Sequence, residues 1–357
     1  MSSVKESLKN LPTTFQKIIV HTLSNDFDQA TKIVTVDFKS FISQLRPNQV
    51  VVRYKYVGIN ASDINFTAGR YDPTIKPPFD AGFEAIGEVV ATGKATKIKL
   101  LQPVAVMNYG VFAEYQIVSE KALIPIPTLN KAFLSLIVSG LTASLALDYH
   151  GHMKSKEVVL VTAAAGGAGQ IAVQLAKLAG NHVIGTCSTG KEAFLKSIGC
   201  DRVINYKTEN VAAVLKKEYP KGVDIVFESV GGEMFQTCMK ALNVKGRMII
   251  IGAVSSYANE VKDGEKMNVF SWDSVKTNTL LNKSTTITGF FLNHYVSEFP
   301  VTMKKLTDLT LSGKLKPATH DEGFAGLQDV SKAIKCMHAG KNIGKVVVEL
   351  KTPSAKL

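Results

Sequence analysis

The chain has 357 residues, 45% of them hydrophobic and 20% charged, with a formal net charge of +12. That length and mix suit one large or two ordinary globular domains with a proper core, and no apolar run approaches the roughly 20 residues needed to cross a bilayer. The lysines are scattered and no zinc-finger or RNA-binding aromatic signature accompanies them, which argues against a nucleic-acid partner and for attraction of anionic ligands.

The N-terminal stretch from Met1 to Leu11 lacks the apolar core of a secretory signal, and Glu6 weakens a mitochondrial reading. The first 145 or so residues read as short strands punctuated by Gly and Pro: Lys17 to His21, Val50 to Val57, Gly87 to Ala91, Val104 to Met107 and Ala113 to Val118. A compact β-rich domain is expected there. Strand and helix then alternate. Strands are expected at Glu157 to Val161, His182 to Thr186, Arg202 to Tyr206, Val223 to Glu228, Arg247 to Ile251 and Thr285 to Phe291. Helices are expected between them at Gln170 to Ala179, Glu192 to Ile198, Val211 to Tyr219 and Met234 to Leu242. This alternation predicts an α/β doubly wound parallel sheet, with ligands at the carboxyl ends of its strands. A last β run, Gly344 to Leu350, suggests that the chain returns to complete the first domain. The expected division is 1–145, completed by 315–357, and 146–314.

The four cysteines, Cys187, Cys200, Cys238 and Cys336, are far apart, which supports neither a disulfide framework nor a structural zinc site. His150 and His152 lie two apart and read as surface histidines on a loop, without a third ligand. The chain ends Ala355-Lys356-Leu357, close to the Ser-Lys-Leu address read by the peroxisomal import receptor. Pro353 and Ser354 favour an exposed tail; a chance ending and a cytoplasmic location are the alternative.

The run from Val158 to Gly169 carries a buried strand into a small-residue turn, with a helix directly after. As a dinucleotide fingerprint, Ala164-x-Gly166-x-x-Gly169 has Ala where the first Gly is usual. Gly166 lets backbone approach a pyrophosphate, Gly169 permits close helix packing, and the helix N-terminus offers free N–H groups. The plain alternative is a small-residue turn between strand and helix. An NAD site usually carries an acid about 20 residues on. Here Thr186 to Gly190 has none, while Ser188 can donate to a phosphate and Lys191 can neutralise it, so NADPH is the expected cofactor. Lys191 also reads as an ordinary solvated helix lysine.

Together with Gly58 to Asn65, Ala68 to Asp72, Gly82-Phe-Glu84, Ile204-Asn-Tyr206, Glu228 to Gly232, Gly289 to Tyr295 and Gly340 to Lys345, this loop resembles the medium-chain dehydrogenase/reductase superfamily, in its quinone oxidoreductase and prostaglandin reductase branch, over about residues 15 to 350. The resemblance implies a Rossmann doubly wound sheet that binds NADPH, a β-rich GroES-like catalytic domain and a homodimer. It implies that Ala168 contacts the phosphates and that Ser188, Lys191 and Tyr206 surround the 2′-phosphate. Ser229 and Ile251 would lie by the adenosine. Tyr257 would approach from the loop after the fifth strand, Phe290, Phe291 and Leu292 would run beside the nicotinamide, and Asn342 would bind from the returning segment. Plain strand packing is the other reading of Phe290 to Leu292. Zinc-dependent relatives have Cys at Asn60 and His at Phe83, so no catalytic zinc is expected.

Without zinc, alcohol oxidation lacks its Lewis acid, and reduction of an activated C=C becomes the easier chemistry, with a hydrogen-bond donor on the enolate oxygen. By its place in the family pattern Tyr257 is the first candidate donor, with Asn60 and Tyr71 second, although Asn60 also reads as a turn residue and Tyr71 as a packing aromatic. The resemblance implies reduction of α,β-unsaturated ketones, in particular 15-oxo-prostaglandins at the 13,14 double bond, and a peroxisomal address would suit lipid-derived enones. A quinone reductase and a catalytically silent NADPH-binding protein are the alternatives.

Overall fold

A computed structural model describes residues 11–72, 74–257, 275, 277–320 and 322–350. The first part of the chain forms β1 (Thr14–Val20), β2 (Thr31–Asp37), β3 (Gln49–Gly58), β4 (Phe79–Asp80), β5 (Glu84–Thr92), β6 (Pro103–Met107), β7 (Tyr115–Ser119) and β8 (Leu123–Pro125). Two sheets result. One is a small sheet ordered β2-β1-β4; the other is built on β3, β5, β6 and β8, with β7 paired to β3. Val50, Val52, Ala85, Val89, Val104 and Val106 fill the space between them, because these strands bury apolar residues on both faces.

The second part is a parallel sheet of β9 (Val158–Val161), β10 (His182–Cys187), β11 (Arg202–Asn205), β12 (Val223–Glu228), β13 (Leu242–Ile250) and β14 (Thr286–Gly289). Its order, β11-β10-β9-β12-β13-β14, is the doubly wound one. The apolar run Val158-Val-Leu-Val161 sits at its centre between β10 and β12. Two short strands, β15 (Phe324–Ala325) and β16 (Val347–Glu349), then join the larger sheet of the first part, β16 pairing with β3. The return to the first half is therefore direct: Val347 lies opposite Gly58.

Helices that periodicity does not announce connect the two parts. A π-helical turn, Leu136–Gly140, runs into α1 (Leu141–Tyr149). Leu136, Ile137, Leu141, Leu145 and Leu147 are all buried in one core that also takes in the parallel sheet. A helix apolar on every side shows no stripe to read. The helix after β9, α2 (Gly167–Leu178), packs against it. Farther on come α3 (Phe299–Leu311) and α4 (Val330–His338). Among the described residues no helix is long and apolar enough to cross a membrane.

Candidate active site

All six parallel strands deliver their carboxyl ends to one cleft of about 820 Å³ between the two parts of the chain. Gly166, Ala168 and Gly169 reach it from the turn after β9, and Ser188 and Lys191 from the end of β10. Tyr206 follows β11, Ser229 follows β12, Ile251 and Tyr257 follow β13, and Phe290, Phe291 and Leu292 follow β14. From the other side come Asn60, Tyr71 and Asn342. Every site residue expected from sequence thus lines the same space.

The turn after β9 has the shape a pyrophosphate needs. A Cβ on Gly169 would lie 2.5 Å from Ala163 O and 2.8 Å from Ala164 Cα, so only glycine lets α2 start this close to the strand. A Cβ on Gly166 would meet only Ala163 O, at 3.2 Å; the loop is open on its cleft side. Gly166 is the N-cap of α2 and brings no side-chain acceptor, leaving the first-turn N–H groups and the positive end of the helix for an anion. The returning segment braces this loop, since Gly344 N–H donates to Ala165 O at 2.8 Å. Asn342 Nδ2 in turn donates to Gly344 O at 2.8 Å.

Where β10 and β11 end, Lys191 Nζ donates to Gly340 O at 2.7 Å. Burial holds its pKa below the usual lysine value, so an arriving dianion would relieve a desolvated cation. Lys207 Nζ sits 5.5 Å from the centroid of the Tyr206 ring. The nearest acid in sequence, Glu192, accepts from Gly190 N–H at 2.7 Å and from Asn205 Nδ2 at 2.6 Å, and it does not line the cleft. The position where a ribose-binding acid would stand is left to Ser188 and Lys191.

The opposite end of the cleft holds a buried polar network. Lys345 Nζ donates to Asn60 Oδ1 at 2.7 Å and forms an ion pair with Glu84. Asn60 Nδ2 donates to Glu84 Oε1 at 2.9 Å, and Val138 N–H donates to Glu84 Oε2 at 2.8 Å. Asn60 N–H donates to Asp63 Oδ2 at 2.8 Å. Burial pushes the Asp63 carboxyl up to about 8, against the opposing pull of the Asn60 N–H and the Lys345 charge. Lys345 and Glu84 are almost completely buried, at 2% and 0% exposure, so neither charge can do without the other.

This network bears on zinc. Asn60 Oδ1 already accepts from an ammonium, and Phe83 is an apolar ring packed against Phe66, Tyr71 and Tyr109. The donor set does not fit the ion, because a divalent cation beside Asn60 would face the Lys345 charge at contact distance.

Aromatic and apolar groups wall the space between the two ends. Tyr71 lies 6.0 Å from Phe291 and 6.5 Å from Phe83, centroid to centroid. Met107, Tyr109 and Leu292 complete that wall. Burial raises the pKa of both Tyr71 and Tyr257, so both phenols are held neutral and keep their proton. Tyr71 Oη accepts from Asn65 Nδ2 at 3.4 Å. Tyr257 Oη accepts from Ala253 N–H at 3.0 Å, and Arg70 ties the Tyr257 carbonyl to Asn65 Oδ1, both at 2.8 Å. Strand β14 stops at Gly289, so Phe290 to Leu292 follow the strand, with Phe290 N–H still donating to Ile250 O at 2.9 Å.

One sequence expectation needs correction. His150 is not a surface loop residue. It closes the C-terminus of α1, is half-buried, and bonds the Tyr295 hydroxyl and Thr288 Oγ1, the latter at 3.2 Å. Its edge meets the Phe290 ring at 5.9 Å. The long connection from β14 folds back over it, a contact that no local pattern signals. His152 is exposed as expected.

Sequence reasoning assigned no role to Glu84, Lys345, Asp63 or Val138. The usable signal was a lysine directly ahead of the apolar run Val346-Val-Val348, a charge bound to be buried and therefore in need of a partner.

A GroES-like β domain set over a doubly wound sheet, with a nucleotide cradle at one end of the shared cleft, defines a nicotinamide-dependent oxidoreductase. Known proteins give the family. A zinc-binding dehydrogenase pattern matches residues 167–308, and an alcohol dehydrogenase GroES-like domain matches residues 46–128. The mouse protein named prostaglandin reductase-3 is 48% identical over 97% of this chain and 93% of its own. A probable quinone oxidoreductase of Leishmania amazonensis is 44% identical over 95% of this chain and 99% of its own. A mycobacterial protein solved in complex with NADPH superposes with a TM-score of 0.79 at 26% identity, covering 94% of this chain and 99% of that one. The chain belongs to the medium-chain dehydrogenase/reductase superfamily.

Proposed function

We propose that the protein is an NADPH-dependent, zinc-independent reductase of activated C=C bonds in α,β-unsaturated ketones, with 15-oxo-prostaglandins, reduced at the 13,14 bond, as the leading substrates. The observation that carries this reading is the Lys345 ammonium bonded to Asn60 at one end of the cleft, beside a wall of Tyr71, Phe83 and Phe291. The similarity to prostaglandin reductase-3 supports the substrate class. NADPH supplies the hydride when bound.

The residues do the rest. The Gly166–Gly169 turn and the α2 N-terminus hold the pyrophosphate. Ser188, Lys191 and Tyr206 hold the 2′-phosphate. Ser229 and Ile251 flank the adenosine, and Asn342 fixes the returning loop on it. Phe290, Phe291 and Leu292 line the nicotinamide side and exclude water. Tyr257, with Asn60 and Tyr71 as second candidates, donates a hydrogen bond to the enolate oxygen as charge develops there. Such an oxygen needs a donor that keeps its proton at neutral pH, and both phenols do. The expected division at 145 and 314, the homodimer and peroxisomal import belong to the same proposal. The Ala355-Lys356-Leu357 signal lies outside the described residues.

The test is loss of nicotinamide absorbance when pure protein, NADPH and 15-oxo-prostaglandin are mixed. Deuterated NADPH should leave deuterium on the β-carbon. No absorbance loss would sink the reading and point to a silent binding protein, which deuterium in the product would eliminate. A quinone reductase is the second reading, favoured by the Leishmania relative. Faster turnover of an ortho-quinone than of the enone would decide for it.

A further inference from the structure

The segment behind the adenosine end of the cleft carries a cluster that the reductase reading does not use. His320, Glu322 and Cys336 bring one ligand atom each to a common point. His320 Nε2 lies 3.4 Å from Glu322 Oε2 and 3.6 Å from Cys336 Sγ, and Cys336 Sγ lies 3.4 Å from Glu322 Oε2. A tetrahedral zinc ion with bonds of about 2.3 Å to sulfur and about 2.0–2.2 Å to nitrogen and oxygen separates its ligand atoms by about 3.3–3.6 Å. The three sides of this triangle lie within about 0.3 Å of that spacing.

The ligands are also held in place. His320 N–H donates to Lys345 O at 2.8 Å, and its ring leans on Phe324 at 6.3 Å between centroids. Cys336 is buried on the inner face of α4, 8% exposed. Glu322 is exposed, so the cluster borders solvent. The set mixes thiolate, imidazole and carboxylate, a combination that suits zinc better than magnesium or calcium, which prefer oxygen alone.

We propose that His320, Glu322 and Cys336 form a zinc site with one open, solvent-filled coordination position. On binding, the Cys336 thiol gives its proton to water and the sulfur bonds the metal. The His320 ring carries its remaining proton on Nδ1, which ends the long 3.5 Å contact from Ile343 N–H. The site clamps the segment before β15 to the end of α4. Directly after α4 come Gly340 and Asn342, which line the cofactor cleft. The ion lies outside the reaction space and stands independently of the reductase reading.

The full chain, stripped with chelator and desalted, should take up one equivalent of cobalt(II). The expected signature is a thiolate-to-cobalt charge-transfer band in the near ultraviolet, with visible bands of tetrahedral intensity that one equivalent of zinc abolishes. Cys336→Ser should lose the charge-transfer band, and Glu322→Gln, an exposed change that leaves the fold intact, should weaken cobalt binding about tenfold or more. Cys200→Ser should keep the band. A wild-type chain that gives no such band would overturn the site, as would a band that survives Cys336→Ser or an affinity unchanged in Glu322→Gln. In each of those cases the cluster is a hydrogen-bonded Cys–Glu–His group and nothing more.

Discussion

Lys345 Nζ lies 2.7 Å from Asn60 Oδ1 and pairs with Glu84, which Asn60 Nδ2 also bonds, so a buried ammonium holds the place beside the residue where zinc-dependent relatives carry a metal ligand. Both partners of the ion pair are all but inaccessible to water. Removing one leaves the other charged and stranded, at a cost of about 3–5 kcal/mol. Lys345→Met should therefore lower the urea midpoint strongly, and Glu84→Gln added to it should restore much of the loss. If the double variant is no more stable than Lys345→Met alone, the two charges are not coupled as the geometry requires.

Much of the nucleotide half was legible because it rests on local rules. An apolar run of four residues, a turn of small residues and a helical stripe suffice to place β9, the Gly166–Gly169 loop and α2 within a few residues. The polar end was not legible in the same way. Asn60, Glu84 and Lys345 lie far apart in the chain, and they meet only because β16 pairs with β3 and β5 lies alongside. Glu84 and Lys345 stood inside short motifs that carried a resemblance, but nothing local said that their charges face each other. The π-helical turn at Leu136–Gly140, whose Val138 N–H caps Glu84, was hidden for a different reason: it is apolar all round and has no periodicity. His150 was misplaced because the segment that covers it arrives from Tyr295.

Asp63 makes stability depend on pH in a direction unusual for a carboxylate. An unfolded Asp titrates near 3.9, whereas burial lifts the native group to about 8. Between those values the native state keeps a proton that the unfolded chain has released, so stability is greatest at the acid end and falls as pH rises towards 8, by at most about 1.4 kcal/mol per pH unit. Asp63→Asn cannot ionise and its carbonyl can still accept the Asn60 N–H. Its advantage over the wild type in urea midpoint should be smallest near pH 3.5 and grow steadily up to about pH 8. Parallel midpoint curves for the two proteins would refute the shift.

Gly169 is fixed by packing against backbone, which cannot move aside as a side-chain tip can. Gly169→Ala places a methyl group 2.5 Å from Ala163 O, and overpacking of that kind costs about 1–3 kcal/mol. Because the strain falls on the phosphate turn, NADPH affinity should drop together with the melting temperature. Gly313→Ala is the control, with open space around its Cβ position although its φ of +71° makes it mildly strained. A Gly169→Ala protein that binds NADPH like the wild type would show that the turn does not hold the pyrophosphate.

Lys191 should report the 2′-phosphate separately from the rest of the cofactor. A charge-assisted hydrogen bond is worth about 1.5–3 kcal/mol, which is roughly 10- to 150-fold in affinity. Lys191→Met should weaken NADPH binding by a factor in that range and leave NADH binding within about threefold. Fluorescence titration with the two cofactors measures both. An equal loss for both would mean that Lys191 acts by holding the Gly340 carbonyl, its partner at 2.7 Å, and not by reading the phosphate.

Tyr257 is buried and Tyr71 half-buried in the cleft, and the two phenols differ in what anchors them. The Tyr257 hydroxyl receives the Ala253 N–H and its carbonyl receives Arg70, so the ring is pinned at both ends. The Tyr71 hydroxyl has a long contact with Asn65, and its ring rests on Phe83 and Phe291. A donor that stabilises an enolate must be in place before the charge appears, which favours the pinned ring. Tyr257→Phe should lower kcat for an enone by about 10²–10³, the usual loss for one preorganised donor, with the NADPH dissociation constant nearly unchanged. Tyr71→Phe should raise KM more than it lowers kcat, since it removes part of the substrate wall. If Tyr71→Phe gives the large kcat loss and Tyr257→Phe does not, the two roles are exchanged, and the donor comes from the GroES-like side of the cleft.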